Sequence, residues 1–136
     1  MRFSVDPSNF PAILSFIREE AKRLHVPAKA IHKMEIACEE AIVNIFNYAL
    51  PNSSNSVSVE CSLDSECHFK VVIKDEGPPF NPLEVPVDLQ NGVDLSERRI
   101  GGLGIHLIRK LIDEAVYVRE QDSNILHLVL RLECPD

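Results

Sequence analysis

The chain reads as an α+β fold, a two-layer sandwich with helices on one face of a mostly antiparallel sheet. Three observations predict it. Two long stretches near the start carry apolar residues three and four positions apart, the spacing of a helix with one buried face. A middle stretch then switches to strict alternation, the mark of a strand with one side covered. A second alternating pair closes the chain after a connection rich in Pro and Gly. The resulting order is strand, helix, helix, strand, strand, long loop, helix, strand, strand.

Each element has its own local reason. Arg2–Val5 is a short edge strand that Asp6-Pro7 ends. From Ser8 the pattern turns helical, with Phe10, Ile13, Leu14, Ile17, Ala21 and Leu24 on one face. Pro11 suits a first turn, Ser8 or Asn9 can cap it, and Val26-Pro27 breaks the helix. A second helix is expected from about Ala28 to about Leu50, burying Ile31, Met34, Ala37, Cys38, Ala41, Ile42, Ile45 and Ala49, and Pro51-Asn52 stops it. Val57 to Leu63 alternates, Asp64-Ser65-Glu66 turns, and Phe69 to Ile73 returns as a hairpin. Residues 77–100 hold repeated Pro and Gly without periodicity, and so long a loop in a compact domain is usually functional. Gly102–Glu114 reads as a third helix. Val116–Glu120 and Ile125–Leu132 form a closing hairpin around Gln121-Asp122-Ser123-Asn124.

Bulk composition narrows the function classes. The length of 136 residues suits one domain, taken as 1–136. Apolar residues at 45% and charged ones at 26% are the balance of a soluble globular protein. No apolar run approaches the ~20 residues of a membrane span. The N-terminus lacks the apolar core of a secretory signal, so a cytoplasmic location is expected and no membrane partner. Net charge is −7, and Arg98, Arg99, Arg109 and Lys110 are the one basic cluster along the sequence. Direct nucleic-acid binding is therefore not expected, whereas a basic protein partner would suit the charge. None of the four cysteines, Cys38, Cys61, Cys67 and Cys134, has the spacing of a zinc site or redox dithiol. They are read as small buried hydrophobes, without a metal or disulfide role.

Three constellations carry possible chemistry. Glu40 and Asn44 lie one helical turn apart, near Glu35 and Glu39. A carboxylate and a carboxamide oxygen can serve a magnesium–phosphate site, and Glu40 can act as general base. Taken alone, the set also suits a solvated acidic face, except that Asn44 stands among Ile42, Val43, Ile45 and Phe46 and its amide needs a partner. The second set is Asp75-Glu76-Gly77-Pro78-Pro79-Phe80-Asn81-Pro82, just past a strand. Asp75 can accept a hydrogen bond from an exocyclic amine, and Gly77 lets a flat ring approach the backbone. Alone, it also suits an ordinary turn. The third is Gly101-Gly102-Leu103-Gly104 opening an amphipathic helix. Amides there favour phosphate, and a hinge before a helix has the same composition. It is neither a Rossmann fingerprint nor a P-loop.

In this order and spacing the sequence resembles the GHKL, or histidine-kinase-like, ATPases. Their N box is matched by Glu40-Ala41-Ile42-Val43-Asn44-Ile45-Phe46-Asn47-Tyr48-Ala49, their Asp-x-Gly box by Asp75-Glu76-Gly77 with Phe80 and Pro82 following, and their last glycine box by Gly101-Gly102-Leu103-Gly104. The likeness runs from about residue 8 to 133. Within that superfamily the chain is most similar to the small anti-sigma-factor serine/threonine kinases of bacteria (RsbW-like). The resemblance implies the Bergerat ATP-binding fold, ATP and magnesium as cofactors, and phosphorylation of a serine on an anti-anti-sigma antagonist. It also implies a sigma factor as second partner and a homodimer, for which Phe10 and Phe16 are candidate face residues. By resemblance Glu40 is the general base and Asn44 the magnesium ligand. Asp75 binds the adenine amine, Gly77 lines the ring pocket, and Phe80 is a further cofactor-binding candidate. Gly102 and Gly104 bring amides to the phosphates, Gly101 and Leu103 are further cofactor-binding candidates, and residues 80–100 form the ATP lid.

Two positions depart from the family pattern. Tyr48 stands where His is frequent. Some members carry an arginine immediately before the glycine box, where this chain has Ile100 or Gly101; Arg99, slightly displaced, is the candidate to meet the terminal phosphate. Two other functions fit the same residues. One is a nucleotide-binding switch that chooses between protein partners without catalysis. The other is the catalytic domain of a sensor histidine kinase, which would need a separate helical domain carrying the acceptor histidine.

Overall fold

The structure, a computed structural model, describes residues 1–4, 6–49, 56–84 and 108–133. Period-two patterning builds its sheet. Strands β1 (Arg2–Ser4), β2 (Ser56–Leu63), β3 (His68–Asp75), β4 (Glu114–Glu120) and β5 (Ser123–Arg131) lie in the order β1-β2-β3-β5-β4. Every pairing is antiparallel. The register puts Val57, Val59, Phe69, Val71, Leu126 and Leu128 on one face, all buried.

Helices α1 (Phe10–Arg23) and α2 (Ala28–Asn44) cover that face. Ile13, Ile17 and Ala21 of α1 are buried, as are Ile31, Met34, Ala37, Ala41 and Ile42 of α2, and they join the strand residues in one core. The expected α+β sandwich is the observed one. The helices are joined by a tight reversal. His25 takes a left-handed φ of 62°. Its N–H bonds Lys22 O at 3.0 Å and the Val26 N–H bonds Ala21 O at 3.0 Å, so the last carbonyls of α1 are satisfied as in a Schellman cap.

Local boundaries differ from expectation in three places. First, α2 stops as an α-helix at Asn44 and continues as one π-helical turn, Ile45–Ala49. The expected end at Leu50 lies outside the described residues. Second, residues 108–111 are helical but the helix does not reach Glu114, which opens β4 opposite Val129. Third, the closing turn is only Gln121-Asp122, because Gln121 accepts a left-handed φ of 55° and Glu120 pairs Ser123 directly. Asn124, expected in the turn, therefore stands inside β5 between Asp75 and Arg119. In each of the last two cases ladder pairing outweighs the weak strand preference of a polar residue.

The cysteines need a correction. Cys38 and Cys61 are free thiols, and burial pushes both up, Cys61 to about 12. Cys67, however, is disulfide-bonded. Sequence spacing exposes zinc and dithiol motifs, but a structural disulfide follows from how the fold places two residues. Among the described residues no helix is long and apolar enough to cross a membrane.

Candidate functional site

Helix α2 presents the first set. Its apolar spacing buries Ala37, Ala41 and Ile42 and carries Asn44 inward with them. Asn44 is 0% exposed, and neither its Oδ1 nor its Nδ2 has a hydrogen-bond partner among the described residues. A buried carboxamide left in this state costs about 1–3 kcal/mol. It also stands where the α-helix gives way to the π turn, a distortion frequent at functional sites. Phe46 of that turn meets Phe10 edge-on at 6.2 Å, which holds the turn against the start of α1. Glu40, one turn earlier, is half-buried. Burial, then the neighbouring Glu39, raises its carboxyl above the ordinary range. Glu35 does not belong with them, since Arg18 holds it by two hydrogen bonds of 2.6 and 3.3 Å.

The second set lies at the end of β3. Asp75 is 2% exposed. Its Oδ1 accepts the Gly77 N–H at 2.9 Å and the Asn124 Nδ2 at 2.9 Å. Both bonds end on one oxygen, which leaves Oδ2 without a partner among the described residues. Burial raises this carboxyl, and the bonds from Asn124 and Gly77 and the charge of Arg119 oppose the rise. The turn beyond Asp75 is built on the same residues. Asn124 Nδ2 also donates to Pro78 O at 2.9 Å, and its Oδ1 accepts the Phe80 N–H at 3.1 Å. The Tyr117 hydroxyl donates to that Oδ1 as well, and Arg119 donates to Gly77 O at 2.8 Å.

Asp75, Gly77 and Phe80 are thus drawn together by a residue that sequence reasoning placed in a turn. Asn124 is 3% exposed, and with Tyr117 and Arg119 it forms the underside of the loop. A signal was present: an amide at the head of an alternating apolar run occupies an inward position once the run is extended by two residues. Past the loop, the 3-10 turn Pro82–Glu84 packs on α2. Arg109 donates to Leu83 O at 3.3 Å and ties the helical residues 108–111 to that turn. Gly101, Gly102, Leu103, Gly104 and Arg99 lie outside the described residues, as do Ile100 and residues 85–100 of the expected lid.

The set on α2 suits a magnesium ion. Among the described residues no group of three or more His, Cys, Asp or Glu could cage a metal. Magnesium does not require one, because it takes few protein ligands and fills the remainder with water and phosphate oxygens. A fully buried carboxamide oxygen, unpaired among the described residues and one helical turn from a half-buried carboxylate, is a donor set of that kind.

The fold, helices on one face of a five-stranded antiparallel sheet, is that of an ATPase domain. A family model for the histidine kinase-like ATPase domain matches residues 3–130. The chain therefore belongs to the histidine kinase-like ATPase domain family. Within it, the chain is similar to serine-protein kinases RsbW. It is 30% identical over 112 residues to that of Listeria monocytogenes serovar 1/2a, covering 78% of this chain and 69% of the relative. It is 30% identical over 101 residues to that of Staphylococcus aureus strain JH9, covering 70% of this chain and 62% of the relative. Among solved structures, the Erythrobacter litoralis EL346 blue-light activated histidine kinase superposes with TM-score 0.57 at 20% identity, over 78% of this chain and 31% of that one. The histidine kinase domain of the same protein gives TM-score 0.56 at 16% identity, over 90% and 61%. At those identities the likeness is one of fold.

Proposed function

We propose that the chain is an ATP-dependent serine protein kinase that also sequesters a sigma factor, its phosphate acceptor being a serine of an anti-anti-sigma antagonist. One observation carries the reading: a fully buried Asn44 carboxamide, without a partner among the described residues, lies one turn from a half-buried Glu40 with a raised carboxyl pKa. Kinase names on the relatives at 30% identity support it. A homodimer belongs to the same reading. Phe10 and Phe16 are weak candidates for its face, because they already pack within the chain against Phe46 and Phe3.

In this mechanism Asp75 Oδ2 accepts the adenine amine, while Asn124 and the Gly77 N–H fix the carboxylate's orientation. Gly77, lacking a Cβ, lets the ring lie against the backbone. Asn44 Oδ1 would hold magnesium, with Glu40 close by. When bound, that ion screens the phosphate charge. Amides of Gly102 and Gly104 would meet the phosphates, with Arg99 at the terminal one. Glu40 takes the proton from the serine hydroxyl as its oxygen bonds the terminal phosphorus and the bond to ADP breaks. A raised pKa makes Glu40 a stronger base than an exposed carboxylate.

The test is transfer of labelled terminal phosphate from ATP to purified antagonist proteins. The expected result is a phosphoserine on one of them. Glu40→Gln should slow transfer by about 10²–10⁴-fold while ATP still binds. Transfer at the normal rate by Glu40→Gln would remove the base assignment. One sequence feature favours a second reading, a partner-switching module that binds nucleotide without catalysis: Ile100 stands directly before the glycine box in place of an arginine. That reading requires bound ATP and no transfer to any antagonist.

A further inference from the structure

A cleft of about 590 Å³ opens at the end of α2 opposite Glu40 and Asn44. It lies between the first turns of α2, the helical residues 108–111 and the end of β5. Four cationic side chains line it: Lys29, Lys33, Lys110 and Arg131. All four residues are exposed. Lys29 and Lys33 stand one turn apart on the same face of α2. Two carboxylates, Asp113 and Glu133, also border the cleft. Asp113 Oδ2 accepts the Arg131 backbone N–H at 2.7 Å, a bond within the cleft lining. Arg131 itself reaches Glu114 only at 3.9 Å. Lys29, Lys33 and Lys110 make no ion pair among the described residues. The floor between them is apolar, from Ala30, Leu111 and Leu130.

This concentration runs against the charge of the chain, which is −7 with 14 basic residues in all. Four cationic side chains against two carboxylates leave the opening net positive, and carboxylates of a ligand would offset that charge. Pro27, the N-cap of helix α2, supplies no side-chain cap, and the positive end of the helix dipole falls at the same place. A small anion would leave the apolar floor uncovered. A nucleic acid would need a continuous basic stripe and would meet the negative field of the remaining surface. An acidic peptide with an apolar anchor uses both the rim and the floor.

We propose that this cleft docks an acidic peptide segment of a partner protein, with a large apolar side chain on the Ala30–Leu111–Leu130 floor and carboxylates on Lys29, Lys33, Lys110 and Arg131. Lys33 and Asn44 are separated by eleven residues of helix, about 16 Å at 1.5 Å per residue. The docking site is therefore distinct from the candidate nucleotide site, and it stands whether or not the chain transfers phosphate.

The test uses the full chain and a fluorescein-labelled peptide of alternating glutamates and leucines, read by fluorescence anisotropy. Saturable binding that weakens as salt rises is expected. Joint Lys33→Glu and Lys110→Glu substitution should weaken it by roughly tenfold or more. Joint Lys22→Glu and Lys74→Glu substitution, equal in charge but outside the cleft, should leave it within about twofold. If the cleft variant fails to fold by circular dichroism, amide NMR of the unaltered chain replaces it, with peptide-induced shifts expected at Lys29–Lys33 and Lys110–Asp113. The proposal is overturned by any of five results: absence of saturable binding, equal weakening in the control variant, equal binding of a peptide with glutamine for glutamate, displacement by Mg-ATP, or NMR shifts confined elsewhere.

Discussion

Three side chains carry opposite demands of folding and function. Asp75 is buried, and burial raises its pKa in the folded state above its unfolded value. Its ionised form therefore costs stability. The cost is absent below the unfolded pKa and complete above the folded one, so stability falls as pH rises through that window. Asp75→Asn keeps an oxygen for Gly77 and Asn124 but removes the buried charge. Thermal melting at neutral pH should show the variant as stable as the parent or more so, and nucleotide binding should be lost. A lowered melting temperature would mean that the ionised carboxylate is a net structural asset. Asn44 makes the same case without charge. Asn44→Leu, similar in volume, removes two unsatisfied polar atoms and should raise unliganded stability by about 1–3 kcal/mol in denaturant titrations. It should also abolish the magnesium dependence of nucleotide binding. Glu40 must be ionised to accept a proton and its pKa is raised. The acid limb of the transfer rate should therefore fall at a higher pH than an ordinary glutamate gives, and the limb should vanish in Glu40→Gln.

At the scale of elements, apolar period decided most of what the sequence could reveal. Ile13, Ile17 and Ala21 fixed the buried face of α1, and Val57, Val59, Val71 and Ile73 fixed the inner face of the β2–β3 hairpin. Boundaries were less legible where backbone geometry departs from the residue's usual preference. His25, Cys67 and Gln121 all take positive φ without being glycine. Nothing in their identity announces a tight reversal, and at Gln121 the shorter turn is what moved Asn124 into β5. At His25 the left-handed angle carries a steric cost that glycine avoids. His25→Gly should stabilise the protein by about 0.5–1 kcal/mol, read as a shift in the urea midpoint without a change in slope. No shift would mean that the histidine side chain compensates through contacts of its own.

For the whole molecule, the order of the sequence motifs carried more than any one of them. Glu40 with Asn44, then Asp75 with Gly77, could each be a polar surface or a turn. Their spacing points to one family, and the family match over residues 3–130 agrees with it. Three features stayed hidden because they depend on pairing across the fold. The Asn124 network depends on β5 lying beside β3, the Cys67 disulfide on placement in space, and the cationic cleft on Lys29, Lys33, Lys110 and Arg131 converging from three separated segments. Binding of nucleotide is the step on which the kinase and switch readings both depend. Calorimetric titration of Mg-ATP into the full chain and into Asp75→Asn tests it most directly. The expected result is saturable heat for the parent, with Kd below about 1 mM, and its loss in the variant. Absence of heat in the parent, or equal binding by Asp75→Asn, would contradict the site described for Asp75.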